Sequence, residues 1–315
     1  MDRHEEAAED SMDVFADAGS HDQMSDEAGA MDNLPSCCTV LTCNDPTNFG
    51  REQTFYIVGT AHVSTQSCED VKRVIRLVKP EVVFLELCVE RRGILTMTKQ
   101  EVQAPPGELF NLWRAGKVPL LFVAYSWMLS QVADALGVTP GEEFRVALLE
   151  AQQVGAKVVL GDRPVRVTLA RTWGALSRWN KIRFIWALLT TGFCVSDDLK
   201  AEVEAMKESD VLTQAMKDLA EEFPELMRPL IQERDEYMVF VLRTLASRAS
   251  RVVAVVGAGH LSGMREKWNA DIDFEEISRM PAMPQKSSSW TWRRVALISI
   301  SGVALTAFVT MRWRR

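Results

Sequence analysis

Five short apolar runs punctuate residues 37–280: Cys38–Thr42, Gln53–Val58, Val82–Leu87, Lys157–Leu160 and Val252–Val256. The first two flank Asn44-Asp-Pro-Thr-Asn-Phe-Gly50, a turn-rich segment, and predict a hairpin. Ser67–Val78 has helical spacing, with Val71, Val74, Ile75 and Val78 on one face and Pro80 to stop it. Longer helical patterns cover 142–154, 165–190 and 197–249. Apolar strands without alternation are buried on both faces, and helices between them imply crossovers. The predicted fold is α/β: a mainly parallel or mixed sheet covered by helices. The helix-rich middle, about 104–150 and 165–249, reads as a large helical insertion. Its apolar stretch Val118–Leu129 is too short to cross a bilayer.

The pattern changes at both ends. Residues 1–36 are rich in Asp, Glu, Ala, Gly and Ser, carry too few large apolar groups to offset ordering entropy, and are expected to be disordered. Residues 281–294 begin as a linker (Pro281-Ala-Met-Pro-Gln-Lys-Ser-Ser-Ser289) and end in Trp290-Thr-Trp-Arg-Arg294. Residues 295–311 then run without a charge, and Arg312-Trp-Arg-Arg315 forms a basic tip. At about 1.5 Å per residue, 295–311 covers roughly 25 Å, near the lower limit for a transmembrane helix. Trp290, Trp292 and Trp313 stand where indoles favour the membrane interface. The expectation is a C-terminal tail anchor with the N-terminus cytosolic. Its short, moderately polar span and basic tip resemble anchors of the mitochondrial outer membrane, with peroxisome, plastid envelope and endoplasmic reticulum as alternatives.

Charge sharpens this division. The 315-residue chain has a net charge of −7, yet residues 1–36 alone hold eleven acids against Arg3. The acidity therefore belongs to the leader and not to the folded part. No run of five or more bases appears, which argues against nucleic acid as a partner. Apolar residues at 47% and charged residues at 25% exclude a wholly disordered or polytopic membrane chain. Six scattered cysteines without a C-x-x-C pair read as reduced thiols. The acidic first thirty residues have the character of neither a signal peptide nor a transit peptide.

Chemistry concentrates at the strand ends. Of four histidines, His4 and His21 lie in the leader, while His62 and His260 share one pattern. Phe55-Tyr-Ile-Val58 leads into Gly59-Thr-Ala-His62, and Val252-Val-Ala-Val-Val256 leads into Gly257-Ala-Gly-His260. In each, an apolar strand ends in a G-x-x-H turn, and the histidine reaches the carboxyl edge of the sheet, where open α/β sheets hold ligands. Glu86 closes Val82–Leu87, and Asp162-Arg163 follows Leu160-Gly161. His62, Glu86 and His260 would form a reasonable donor set for Zn²⁺, Mn²⁺ or Fe²⁺, provided they come within about 5 Å of one another. The plainer alternatives are loop-bound histidines, a structural ion pair of Glu86 with Arg91, and a turn-closing pair of Asp162 with Arg163.

Five motifs in order then carry a resemblance: G-T-A-H-V-S at 59–64, E-L-C-V-E-R at 86–91, G-D-R-P at 161–164, E-R-D-E-Y-M at 233–238 and V-V-G-A-G-H-L at 255–261. Over roughly 38–275 the chain resembles the TraB/PrgY family, called TraB domain-containing in eukaryotes, and with its single terminal span a plant-type, tail-anchored member. That family is distantly similar to the Tiki metalloproteases. The resemblance implies a site of His62, Glu86, Arg91, Arg163, Arg234, Asp235 and His260. In it, Arg91 and Arg234 would bind an oxyanion or a carboxylate.

The leader has a signal of its own. An acidic run from Glu5 to Asp13 precedes Val14-Phe-Ala-Asp-Ala-Gly-Ser20. Over residues 5–20 this resembles a degenerate FFAT motif, the peptide that docks on the MSP domain of the VAP proteins of the endoplasmic reticulum, with Phe15, Asp17 and Ala18 matching. Trp173–Leu176 and Trp186–Leu189 resemble autophagy-receptor ligands, but helical periodicity places them in packed segments. The expected cellular role is a tail-anchored contact-site adaptor that binds VAP proteins. The alternative is a metal-dependent hydrolase or peptidase with a His/Glu/His site at the cytosolic face.

Overall fold

A computed structural model describes residues 14–15, 33–44, 52–61, 65–96, 114, 141–193 and 219–281. His62, Asp17, Ala18, the span 295–311 and, of the expected helical insertion, residues 104–113, 115–140 and 194–218 lie outside the described residues. The chain separates into two units, 1–280 and 281–315, and the fold concerns the first.

The strands are β1 (Val14–Phe15), β2 (Cys38–Asn44), β3 (Glu52–Thr60), β4 (Val82–Leu85), β5 (Lys157–Leu160) and β6 (Arg251–Gly257). They form one mixed sheet in the order β1-β5-β4-β6-β3-β2. The four inner strands are parallel, and both outer ones are antiparallel. The predicted hairpin is present as β2 and β3, with Thr42 opposite Thr54. β1 is a departure: two residues of the acidic leader pair with Val159 and Val158. An open strand edge is a template for any extended segment, and β5 offers one.

Between their polar ends (Glu52–Thr54 and Thr60 of β3, Lys157 of β5, Arg251 of β6) the inner strands run without polar side chains because both faces are covered. One face carries Phe55, Ile57, Phe84, Val252, Ala254 and Val256. Against it pack Tyr237, Met238, Val241 and Leu242 of α5 (Glu233–Thr244), with Met264 of α6 (Leu261–Lys267) and Ile277 of α7 (Phe274–Ser278). The other face carries Tyr56, Val58, Val83, Leu85, Val253 and Val255. It is covered by α1 (Thr65–Val78), through Val71, Val74, Ile75 and Val78, and by α2 (Glu142–Val154), through Phe144, Ala147 and Ala151. Alternate residues of one strand thus serve opposite layers, as the pleat requires. Burying each such side chain contributes about 1.5–3 kcal/mol.

The expected helix over 165–190 is two helices, α3 (Val165–Ala175) and α4 (Arg178–Phe193), broken at Leu176-Ser177. Leu176 adopts extended backbone and is buried with Phe223 and Leu226. A side chain recruited by a third cluster ends the helix where periodicity alone would continue it. The described part of the pattern over 197–249 breaks likewise. Pro224 opens a short 3₁₀ turn, and a π-turn, Arg228–Gln232, precedes α5.

All five described cysteines, Cys37, Cys38, Cys43, Cys68 and Cys88, are free thiols. Burial, with neighbouring charge second, pushes Cys37 up to about 11 and Cys38 up to about 12, so neither is a thiolate at neutral pH.

Candidate functional site

The carboxyl ends of β4, β5 and β6 lie side by side, and each strand delivers one ionisable group just past its end. Glu86 follows β4, Asp162 follows β5, and His260 closes the 3₁₀ turn Ala258–His260 after β6. Glu86 N–H donates to Val255 O at 3.0 Å, so the backbone extends the ladder by one residue while the side chain turns to the edge. Gly161 lets β5 end tightly here, since a Cβ on it would stand 1.7 Å from the Phe84 ring.

A fourth contribution comes from the start of α5. The π-turn shifts the phase of the chain before Glu233-Arg234-Asp235, and such turns recur at functional sites. Arg234 donates from Nε to Asp162 Oδ1 at 3.0 Å and from Nη2 to Asp162 Oδ2 at 2.9 Å. Nη2 also donates to Glu86 Oε1, and Nη1 lies 3.3 Å from His260 Nε2. Asp235 Oδ1 lies 2.5 Å from His260 Nδ1. Glu86 Oε1 is 3.2 Å from His260 Nε2, and Glu86 Oε2 accepts the Gly257 N–H at 2.6 Å. One base, one imidazole and three carboxylates thus form one connected network. Glu86, Asp162, Asp235 and His260 are buried, and none lacks a partner.

These contacts set the protonation states. Burial works against charge on the His260 ring. The Glu86 carboxylate and the hydrogen bonds to Asp235 and Glu86 outweigh it, and the ring is pushed up to about 9. Burial raises the Asp235 carboxyl, with the bond to His260 opposing the rise. Burial also opposes charge on Arg234, but Asp162 and Glu86 hold it well above its usual range. At neutral pH the network pairs an imidazolium and a guanidinium with carboxylates.

The residues predicted from sequence divide into two networks. Glu86, Arg234, Asp235 and His260 come together. Arg163, fully buried, faces a different set. It donates to Glu233 Oε2 at 2.7 Å, Thr168 Oγ1 at 3.0 Å, Ile277 O at 3.2 Å and Pro229 O at 2.5 Å. Arg163 therefore docks α7 and the π-turn onto the sheet edge. Only its backbone N–H reaches the first network, donating to Asp162 Oδ1 at 2.8 Å. Arg91 sits half-buried in the 3₁₀ turn Val89–Leu95, its N–H donating to Cys88 O at 2.9 Å, and takes no part in the ion pairs above. The turn-closing pair of Asp162 with the Arg163 side chain is replaced by Asp162 with Arg234. Asp162, expected from sequence at the same sheet edge but not among the candidate site residues, is the bidentate partner that aims the guanidinium. Its placement after β5, in step with Glu86 after β4, was the available signal.

The donors can be weighed against a divalent ion. Glu86 Oε1 and His260 Nε2 converge at 3.2 Å, the separation expected for two ligands at about 2.0–2.2 Å from one ion. Asp235 on Nδ1 turns Nε2 toward Glu86, and Nε2 would take an ion only on giving up the proton it carries at neutral pH. β3 pairs with β6, and Ala61, the last described residue before His62, follows it directly. Among the described residues no group of three His, Cys, Asp or Glu side chains is arranged to hold an ion. Two donors and an orienting carboxylate fit, and Arg234 shares both donors as a competing cation.

A sequence model of the TraB/PrgY/gumN family matches residues 47–269, a stretch that contains every group of this network. A TraB domain-containing protein of Bos taurus is 35% identical over 299 residues, covering 87% of this chain and 74% of its own. That of Homo sapiens is 36% identical over 275 residues, covering 79% and 70%. An uncharacterised protein of Methanocaldococcus jannaschii is 27% identical over 261 residues, covering 81% and 64%.

Proposed function

Starting from the chain's membership of the TraB/PrgY/gumN family, we propose that its folded domain is a hydrolase for peptide or related acyl bonds, worked by Glu86, His260 and Arg234. The observation that carries this reading is the convergence of Glu86 Oε1 and His260 Nε2 at 3.2 Å, with Asp235 fixing the far side of the ring. Glu86 is positioned to accept a proton from an attacking water, its other oxygen being held by Gly257 N–H. Arg234 supplies fixed positive charge, aimed by Asp162, for an oxygen that gains negative charge. His260 and Glu86, with His62, would hold a divalent ion, which when bound supplies Lewis acidity and an acidified water. Arg163 and Glu233 keep the start of α5 in place beneath this edge.

Two measurements test the reading. Purified full-length protein is assayed for bound Zn, Mn and Fe, and for cleavage of a mixed peptide library. Wild type is expected to retain about one ion per chain and to cleave, whereas His260→Ala and Glu86→Gln lose both. Equal cleavage by wild type and both variants would end it.

A second reading rests on the leader, whose Glu5–Ser20 segment resembles an FFAT motif. In it the chain is a tail-anchored adaptor: 295–311 sits in the mitochondrial outer membrane, and Phe15, Asp17 and Ala18 dock on a VAP protein. The acidic run would steer the leader to a basic face. VAP pull-down that is unchanged in Phe15→Ala/Asp17→Ala would remove it. Alkaline extraction of the chain from membranes would remove the anchor. In this reading Phe15 must leave β5, with which it pairs as part of β1, before it can dock on a partner.

A further inference from the structure

β5 reaches the edge of the sheet's parallel part, and what covers it there is β1, two residues long. Val14 stands opposite Val159 and Phe15 opposite Val158, antiparallel. The bonds from β5 to β4 show which backbone groups face that edge. Lys157 N–H donates to Glu81 O at 2.9 Å, and Gly161 N–H donates to Leu85 O at 3.1 Å. Backbone groups alternate sides along a strand, so Lys157, Val159 and Gly161 serve β4, while Val158 and Leu160 turn their N–H and C=O outward. Phe15 therefore stands where its backbone faces that of Val158.

This edge has the character of a strand-addition site. Lys157, at its start, is exposed and is its one charged residue, whereas Val158, Val159 and Leu160 are buried. Neither proline nor an acid blunts it, and such edges accept extended segments through main-chain bonds. β1 spans two of the four positions of β5. So short a ladder opens readily, because few bonds must break together. The same strand carries Asp162 just past its end, the residue that aims Arg234. Asp162 lies three residues beyond Val159, about 10 Å along an extended chain. The pairing is antiparallel, so the amino-terminal side of an occupant lies toward that end.

We propose that the outer edge of β5 docks an extended peptide bearing an apolar pair, which joins the sheet as a strand, and that Val14-Phe15 is the resident occupant such a peptide displaces. The leader is a competitor carried by the chain itself. Under the hydrolase reading, on which this step alone rests, a docked peptide has its amino-terminal side led toward Asp162 and Arg234. The docking does not require that reading.

The probe is a fluorescent synthetic peptide with the sequence of residues 9–19, and its binding to the full chain is read by anisotropy. Phe15→Pro in the full chain removes the N–H that the leader presents to Val158 and so opens the edge. This variant is expected to bind the probe about tenfold tighter than wild type, as when the edge is open in about one tenth of wild-type molecules. A probe N-methylated at its phenylalanine keeps the side chain, loses the N–H, and should not bind. Amide exchange over 157–161, followed by mass spectrometry, should quicken in Phe15→Pro and slow again with saturating probe. The amides of β3, β4 and β6 should not change. Equal binding by the two chains overturns the proposal. So does equal binding of the methylated probe, which would place the peptide on a side-chain pocket instead of the strand edge. Faster exchange throughout β3, β4 and β6 in Phe15→Pro would make β1 a structural strand and likewise overturn it. The readout is binding, so a chain that takes up the probe yet cleaves no peptide counts against the hydrolase reading alone.

Discussion

Asp235 Oδ2 stands 2.0 Å from where a Cβ on Gly263 would be. Position 263, in the first turn of α6, is therefore glycine because a site carboxylate occupies the space of its side chain. Gly263→Ala must push Asp235 off His260 Nδ1. A loss of about 1–3 kcal/mol in urea unfolding is expected, in the range of other overpacked positions. If the hydrolase reading holds, activity falls more than stability does. Arg234 makes a second residue-scale case. It is shared by Glu86 and Asp162, and removing it leaves buried carboxylates without their cation. Arg234→Leu is expected to cost about 3–5 kcal/mol, the range for a buried pair broken on one side. An unfolding midpoint within error of wild type would show that the network is not structurally required. Sequence inspection identified both residues' neighbourhood, because G-x-x-H and E-R-D are local strings. It could not pair Arg234 with Asp162, since that contact spans 72 positions of sequence.

Elements are joined here by buried ion pairs as well as by apolar packing. Glu233, at the first turn of α5, accepts from Arg163 and Arg171 and so joins the β5–α3 turn, α3 and α5. Arg171 continues to Glu276 Oε1 of α7 at 3.1 Å. Burial opposes charge on Glu233, but its hydrogen bonds to Arg171 and Arg163 win and hold its carboxyl near about 2, below an ordinary 4.5. The folded value is the lower one, so its stabilisation is complete above about pH 4.5 and disappears as pH falls through about 2. The shift corresponds to about 3 kcal/mol. Wild type is thus expected to lose stability over that window, and Glu233→Gln to be weaker at neutral pH with a flatter acid limb. Denaturant midpoints at a series of pH values measure both. A variant with the wild-type acid slope would remove Glu233 as the source. The same clip explains why helix boundaries in 165–249 were not legible. Leu176, Pro224 and the π-turn end or re-phase helices to meet partners far along the chain, and periodicity reports only the local face.

At the scale of the sheet, β6 is the last strand in sequence among the described residues and lies between β4 and β3 in space. The chain lays down β3, α1 and β4 with a gap that only residues 251–257 fill. Every residue of β6 after Arg251 is buried. A chain ended before Arg251 is accordingly expected to lose cooperative thermal unfolding, as followed by circular dichroism. A sharp transition near that of the full chain would show that the remaining strands fold alone.

Hydrophobic period alone determined the four inner strands and α1 and α2, because continuous apolar runs need two covering layers and an amphipathic stripe needs one. Local strings also determined which histidines and acids stand at strand ends. The order of those strands was decided only by the tertiary structure. Parallel pairing is chosen by packing among many buried, similar apolar strands, and no single strand encodes its neighbour. That order puts His260 beside Glu86, gives Arg234 to Asp162 and turns Arg163 away to Glu233.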